Sequence, residues 1–194
     1  MFVNKKSLAG FTLIEIMVAV SIFSIVAVIA VGALLTANTV NQKAQATKLI
    51  MDNLNFAMDS MVFKMRKSGA YYCENDFTSF LPPESYANGK DCLDQNNPGK
   101  AIVLTDRSDP GRLYAYFFKV LADGRGIIKF LDNKFGNTEN EAITLVAGAI
   151  DIDDFRFYVS ESPFRRVLIS LFGTASIGRG ISEFALETVV NERR

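Results

Sequence analysis

Histidine and tryptophan are both missing from these 194 residues, and cysteine occurs only twice. Without histidine the chain lacks the commonest general base and the commonest zinc ligand, and two cysteines are too few for a structural zinc site. Carboxylates, lysines and tyrosines could still do acid–base work, but no G-x-S-x-G, P-loop, H-E-x-x-H or G-x-G-x-x-G accompanies them. Net charge is absent too, with 21 Lys+Arg against 21 Asp+Glu; nothing in that balance draws the chain to nucleic acid or an anionic surface. The paired arginines Arg165-Arg166 and Arg193-Arg194 read as solvated rather than as DNA contacts. The composition therefore predicts no enzyme, no cofactor, no metal and no nucleic-acid partner.

What the chain does have is unevenly placed. From Ile16 to Leu35, twenty consecutive residues carry no formal charge (IMVAVSIFSIVAVIAVGALL). At about 1.5 Å per helical residue this run crosses a hydrocarbon core of roughly 30 Å. A helix that is apolar on all sides for five turns is read as a membrane span rather than as a surface helix. Ahead of it stand Lys5 and Lys6 and the small pair Ala9-Gly10. An ordinary secretory signal is cut after its apolar stretch; here the small-residue site precedes that stretch, and the A-x-A at Ala44–Ala46 lies too far beyond it.

The run K-K-S-L-A-G followed by F-T-L-I-E resembles the N-terminal signal of type IV prepilins and type II secretion pseudopilins. That resemblance implies a cleaved leader at residues 1–10 and a prepilin peptidase that cuts between Gly10 and Phe11 on the cytoplasmic side. It also implies that the same enzyme methylates the new amino group of Phe11. Glycine at the scissile bond is sensible, since it adds no side chain to obstruct access.

Glu15 is the one ionisable residue at the entrance to the apolar helix. An unpaired carboxylate there costs on the order of 2–3 kcal/mol, so it reads as functional. It could instead snorkel to the headgroups or favour the helix N-terminus. Cleavage creates a cation at Phe11, and Glu15 could neutralise it within one subunit at i, i+4 spacing or in a neighbouring subunit. The resemblance favours an intermolecular assembly salt bridge.

The helical pattern continues past residues 11–35. Val40, Ala44, Thr47, Ile50, Leu54, Ala57, Met61 and Met65 recur at intervals of three and four, with charges between them. No proline occurs from Thr12 to Ser68, so one long helix is predicted, amphipathic over 36–69 and stopped at Gly69. Gly32 is a mild weak point within it. Residues 70–100 are rich in turn formers and bracketed by Cys73 and Cys92, which predicts a loop region. In an oxidising compartment those two cysteines are expected to form a disulfide, with two separate buried thiols as the alternative.

The remainder, 101–194, reads as short strands at 101–106, 112–119, 126–131, 142–147, 150–159, 166–172 and 181–190, separated by turns and without intervening helices. Antiparallel pairing follows. A shift of apolar phase at Asp153-Asp154 predicts a bulge. Asp151, Asp153 and Asp154 sit in a strand pattern without a calcium-binding loop, and Tyr114, Tyr116, Phe117 and Phe118 are expected in the core. The predicted class is α+β: a long N-terminal helix, transmembrane in its first half, packed on an antiparallel sheet.

More loosely, MDNLNFAMDSMVFKMRKSG and the ending FALETVVNERR are similar to minor pilins and J-type minor pseudopilins. The acid at Glu15 argues against the extreme tip subunit. The resemblance implies other pilin or pseudopilin subunits, the prepilin peptidase, an inner-membrane assembly platform and membrane lipid as partners. It also implies a single-pass precursor in the cytoplasmic membrane, N-terminus cytoplasmic and head extracytoplasmic, whose mature form joins a pilus or pseudopilus. The competing reading is a permanently anchored extracytoplasmic binding or sensor domain that keeps residues 1–10.

Overall fold

The computed structural model describes residues 10–92, 98–160, 166–177 and 180–191. The chain divides into two units, Met1–Gln45 and Ala46–Arg194. One helix, α1 (Leu13–Lys67), contributes to both and passes through Gly32 without a break. The α+β class predicted from the sequence is the class observed.

Among the described residues of the first unit α1 is the only element. Its residues are exposed from Leu13 to Gln45 apart from the half-buried Ala27. The apolar pattern predicted from Val40 onward acquires a partner only in the second unit: Val40 and Ala44 are exposed, Ala46 and Thr47 are half-buried, and Ile50 is the first buried position. The spacing alone could not reveal where packing begins.

Among the described residues of the second unit, eight strands form two antiparallel sheets. The first has the order β1 (Ser68–Glu74), β2 (Ala101–Asp106), β3 (Leu113–Val120), β4 (Gly126–Asp132), β5 (Ile143–Thr144); the second is β6 (Ile150–Ser160), β7 (Arg166–Ile177), β8 (Gly180–Asn191). Alternation along each strand sends side chains to opposite faces, and both faces of the first sheet are covered. Ile102, Leu104, Tyr114 and Tyr116 join a core with Leu54, Met61 and Met65 of α1 and with Phe155, Phe157, Ile169 and Leu171 of the second sheet. Val103, Leu113, Ala115 and Phe117 face the other way, onto Phe77 and Tyr86. Five successive residues of β2 are therefore buried, the pattern of a strand covered on both sides. Tyr114, Tyr116 and Phe117 are core residues, as expected, although they serve two different cores.

Boundaries differ from the sequence expectation in α1, β1, β5 and β7, the last running on to Ile177 beyond the expected 166–172 because it pairs with β6 and β8 over that length. The helix stops at Lys67, where Ser68 Oγ donates to the Lys64 carbonyl at 2.9 Å; Gly69 lies in β1 at a register shift between Ser68 and Ala70. The first part of the predicted loop region, 70–74, is strand β1, recruited because Tyr71 and Cys73 have a core to enter. The strand predicted at 142–147 shrinks to Ile143–Thr144, since Ala147 N is drawn away to Asn53 Oδ1 at 3.0 Å. The bulge at Asp153 is present, between Ile152 and Asp154 in the β6–β7 register. Asp151 there accepts from Gly126 N at 2.8 Å and Asp154 pairs with Arg156 at 2.6 Å, so both acids act within the fold. In the β3–β4 hairpin Gly124 takes a left-handed φ of 88°, which a side chain would strain.

Cys73 and Cys92 form the disulfide, with Cα atoms 5.7 Å apart, a spacing that suits a bridge. Cys73 N also donates to the Lys90 carbonyl at 2.8 Å, so backbone and bridge close the same loop. That loop carries Phe77 and Tyr86, the lid over the second core. Closing it stabilises the fold by about 3 kcal/mol. Gly99 presses against the bridge: a Cβ at Gly99 would overlap Cys73 Sγ.

Candidate functional site

Chemistry at the N-terminal segment begins with what surrounds Glu15. Between Gly10 and Lys43 it is the only charged residue. The hydroxyls in this stretch are satisfied inside the helix: Ser21 Oγ donates to Met17 O and Ser24 Oγ to Val20 O, both at 2.8 Å. Thr36 Oγ1 donates to Gly32 O at 3.0 Å, and Thr39 Oγ1 to Thr36 O at 2.8 Å. Such i−3 and i−4 bonds hide polar groups from an apolar solvent. Among the described residues α1 is the one helix long and apolar enough to cross a membrane. None of that apolar window is buried inside the protein, so its large side chains await lipid or another chain.

Gly10, Phe11 and Thr12 precede the helix and are exposed, Phe11 at 78%. A Cβ built on Gly10 meets nothing within 4 Å, so its glycine is not demanded by packing in the folded chain. Phe11 lies outside the helix, two residues ahead of its first residue, Leu13. Glu15 itself sits in the first turn of α1, where a carboxylate is favoured by the helix dipole.

The five residues singled out in the sequence thus occupy two places. Gly10, Phe11 and Glu15 lie together at the start of α1, while Cys73 and Cys92 form a structural bridge in the second unit. One residue with a defined local role went unnoticed: Thr12, whose Oγ1 accepts from Glu15 N at 3.4 Å. The T-x-x-E spacing of Thr12 and Glu15 is a sequence signal for it. Of the paired arginines, Arg165, Arg193 and Arg194 lie outside the described residues.

A family model described as the prokaryotic N-terminal methylation motif matches residues 5–31. The comparisons with curated proteins and with solved structures found no match. The matched segment contains Gly10, Phe11, Glu15 and most of the apolar run. It supports the type IV pilin-like and pseudopilin family, and with it processing by prepilin peptidase, anchoring in a membrane and assembly with other pilin subunits. The family is one of structural subunits rather than of enzymes.

Proposed function

We propose that this chain is a minor pilin or minor pseudopilin, cut between Gly10 and Phe11, methylated on Phe11, and polymerised through α1 into a type IV pilus or type II secretion pseudopilus. The observation that carries this reading is the pairing of the methylation motif with a helix that has no buried residue over residues 16–35. A surface that apolar has two stable environments, the lipid of a precursor and the helix-lined core of a filament. The precursor then crosses the cytoplasmic membrane once, with residues 1–10 cytoplasmic and the Ala46–Arg194 unit outside, and meets an inner-membrane assembly platform. Glu15 pairs with the Phe11 amine of a neighbouring subunit, since Phe11 stands ahead of the helix and the two charges belong to a low-dielectric core. An oxidising compartment suits the Cys73–Cys92 bridge.

Mass spectrometry of protein taken from the envelope tests the processing: the expected N-terminus is a methylated Phe11. An intact Met1 leaves a permanently tethered domain. Glu15→Ala tests assembly when the cognate machine is present. The variant should be cut normally and stay in the membrane fraction, yet be depleted from sheared filaments. Equal filament fractions for wild type and variant remove Glu15 from assembly.

A further inference from the structure

Two hydrogen bonds define how α1 starts. The Thr12 carbonyl accepts the first intrahelical bond, from Ile16 N at 3.3 Å, and Thr12 Oγ1 accepts from Glu15 N at 3.4 Å. Those are the two bonds of an N-cap residue, with Glu15 at the third helical position. Gly10 and Phe11 are left outside the helix and exposed. The placement matters because a peptide bond wound into a helix has its carbonyl engaged and its faces wrapped by neighbouring turns. Hydrolysis needs the opposite: a carbonyl carbon with one open face from which a water can approach. Water adds to the Gly10 carbonyl carbon and the bond to Phe11 N breaks. Gly10 keeps the new oxygen as a carboxylate, and Phe11 leaves with both of the water's protons on its nitrogen, as an ammonium.

Little else in this segment opposes growth of the helix back over that bond. Phe11 has ordinary helix propensity, and Gly10 disfavours the helix only mildly. The cap oxygen contributes about 1 kcal/mol, and does so at the residue that must stay non-helical. We propose that Thr12 is a positioning residue for processing: its N-cap ends α1 two residues beyond the scissile bond and holds Gly10–Phe11 extended for the peptidase. This rests on the processing reading above. It assigns to the side chain of Thr12 a task distinct from those of Gly10, which keeps the bond accessible, and Glu15, which acts after cleavage.

The test is the initial rate of leader removal from the full-length precursor in membranes containing prepilin peptidase. The series is wild type, Thr12→Ser, Thr12→Asn, Thr12→Val and Thr12→Ala. Serine and asparagine cap helices as well as threonine or better, whereas valine keeps the shape of threonine and loses the oxygen. Thr12→Ser and Thr12→Asn should be cut at the wild-type rate and Thr12→Val and Thr12→Ala about fivefold more slowly, the factor that ~1 kcal/mol gives. The membrane fraction and the Cys73–Cys92 bridge, measured in parallel, should not change. Thr12→Val cut as fast as wild type overturns the proposal. So does Thr12→Asn as slow as Thr12→Val, which would mean that the peptidase reads the shape of the side chain. An uncut wild-type precursor overturns the processing reading and this proposal with it, so the two failures are distinguishable.

Discussion

The two stretches of α1 have similar helical order and opposite surroundings. From Ile16 to Leu35 the helix is more apolar than any other part of the chain and buries almost nothing; from Ile50 to Met65 it carries six polar residues in sixteen and buries six side chains. Burial therefore does not follow hydrophobicity along this helix. It follows whether the chain itself supplies a partner. The second stretch finds one in the two sheets, and its stability belongs to the folded monomer. The first stretch has none among the described residues, so its apolar surface is a demand on lipid or on neighbouring subunits.

The sharpest way to break this comparison is to make the same kind of deletion in each stretch. Leu54, fully buried among core residues, should cost about 2–5 kcal/mol when cut to alanine. Ile25→Ala, at an exposed site in the apolar stretch, should leave unfolding of the Ala46–Arg194 unit within about 0.5 kcal/mol of wild type. Denaturant unfolding of the full chain in detergent, followed by tyrosine fluorescence, reads both. A large effect of Ile25→Ala would show that the first stretch is packed after all, and the contrast would collapse.

The sequence carried the first stretch more fully than the second. An uncharged run and the K-K-S-L-A-G/F-T-L-I-E signal are local, one-dimensional features, and local features survive without knowledge of the fold. In the second unit seven of the eight described strands were legible for the same reason, as β-branched and aromatic runs between turns, β5 only in part. Strand β1 was not: residues 70–74 sit among turn formers, and Tyr71 and Cys73 become strand residues only because α1 and the second sheet give them a core to enter. The two-sided burial of β2 was equally hidden, since its lid is Phe77 and Tyr86, carried on a loop. Thr12 was hidden differently. Its capping pattern is visible in T-x-x-E, but that signal overlaps the cleavage motif, and nothing in the sequence separates the two.

The disulfide sharpens the comparison next, with an effect of about 3 kcal/mol. Cys73→Ala with Cys92→Ala, or reduction, should lower the stability of the second unit by that amount. Membrane insertion through α1 should be untouched. Thiol labelling of denatured, unreduced wild-type protein should find no free cysteine. Labelling of both would remove the bridge from the account of how the loop carrying Phe77 and Tyr86 is held.

The smallest effect concerns titration, which in the second unit is built into the fold. Asp106 accepts from Ser108 Oγ at 2.6 Å, from Ser108 N at 2.9 Å and from Tyr114 Oη at 3.0 Å. The Ser108 hydroxyl first among these holds the Asp106 carboxyl below its ordinary range. A carboxyl depressed on folding contributes stability that is complete above its unfolded pKa, about 3.9, and is lost as pH falls through the lower folded value. Tyr114 lies at the other end of the same hydrogen bond, and burial, followed by the bond to Asp106, pushes its phenol up to about 12. The folded state therefore keeps that proton longer than the unfolded state does, and stability falls as pH rises from about 10 toward 12. Asp106→Asn should flatten part of the acid loss. Tyr114→Phe should flatten part of the alkaline loss and, by removing one donor to Asp106, shift the acid limb slightly upward in pH. Stability measured by denaturant at intervals from pH 2 to 12 reads both limbs. Some alkaline slope should survive in Tyr114→Phe, since burial also raises Tyr116. Unchanged limbs in both variants would mean that the Asp106–Tyr114 bond is not held in solution, and the pH dependence of this unit would have to come from other groups.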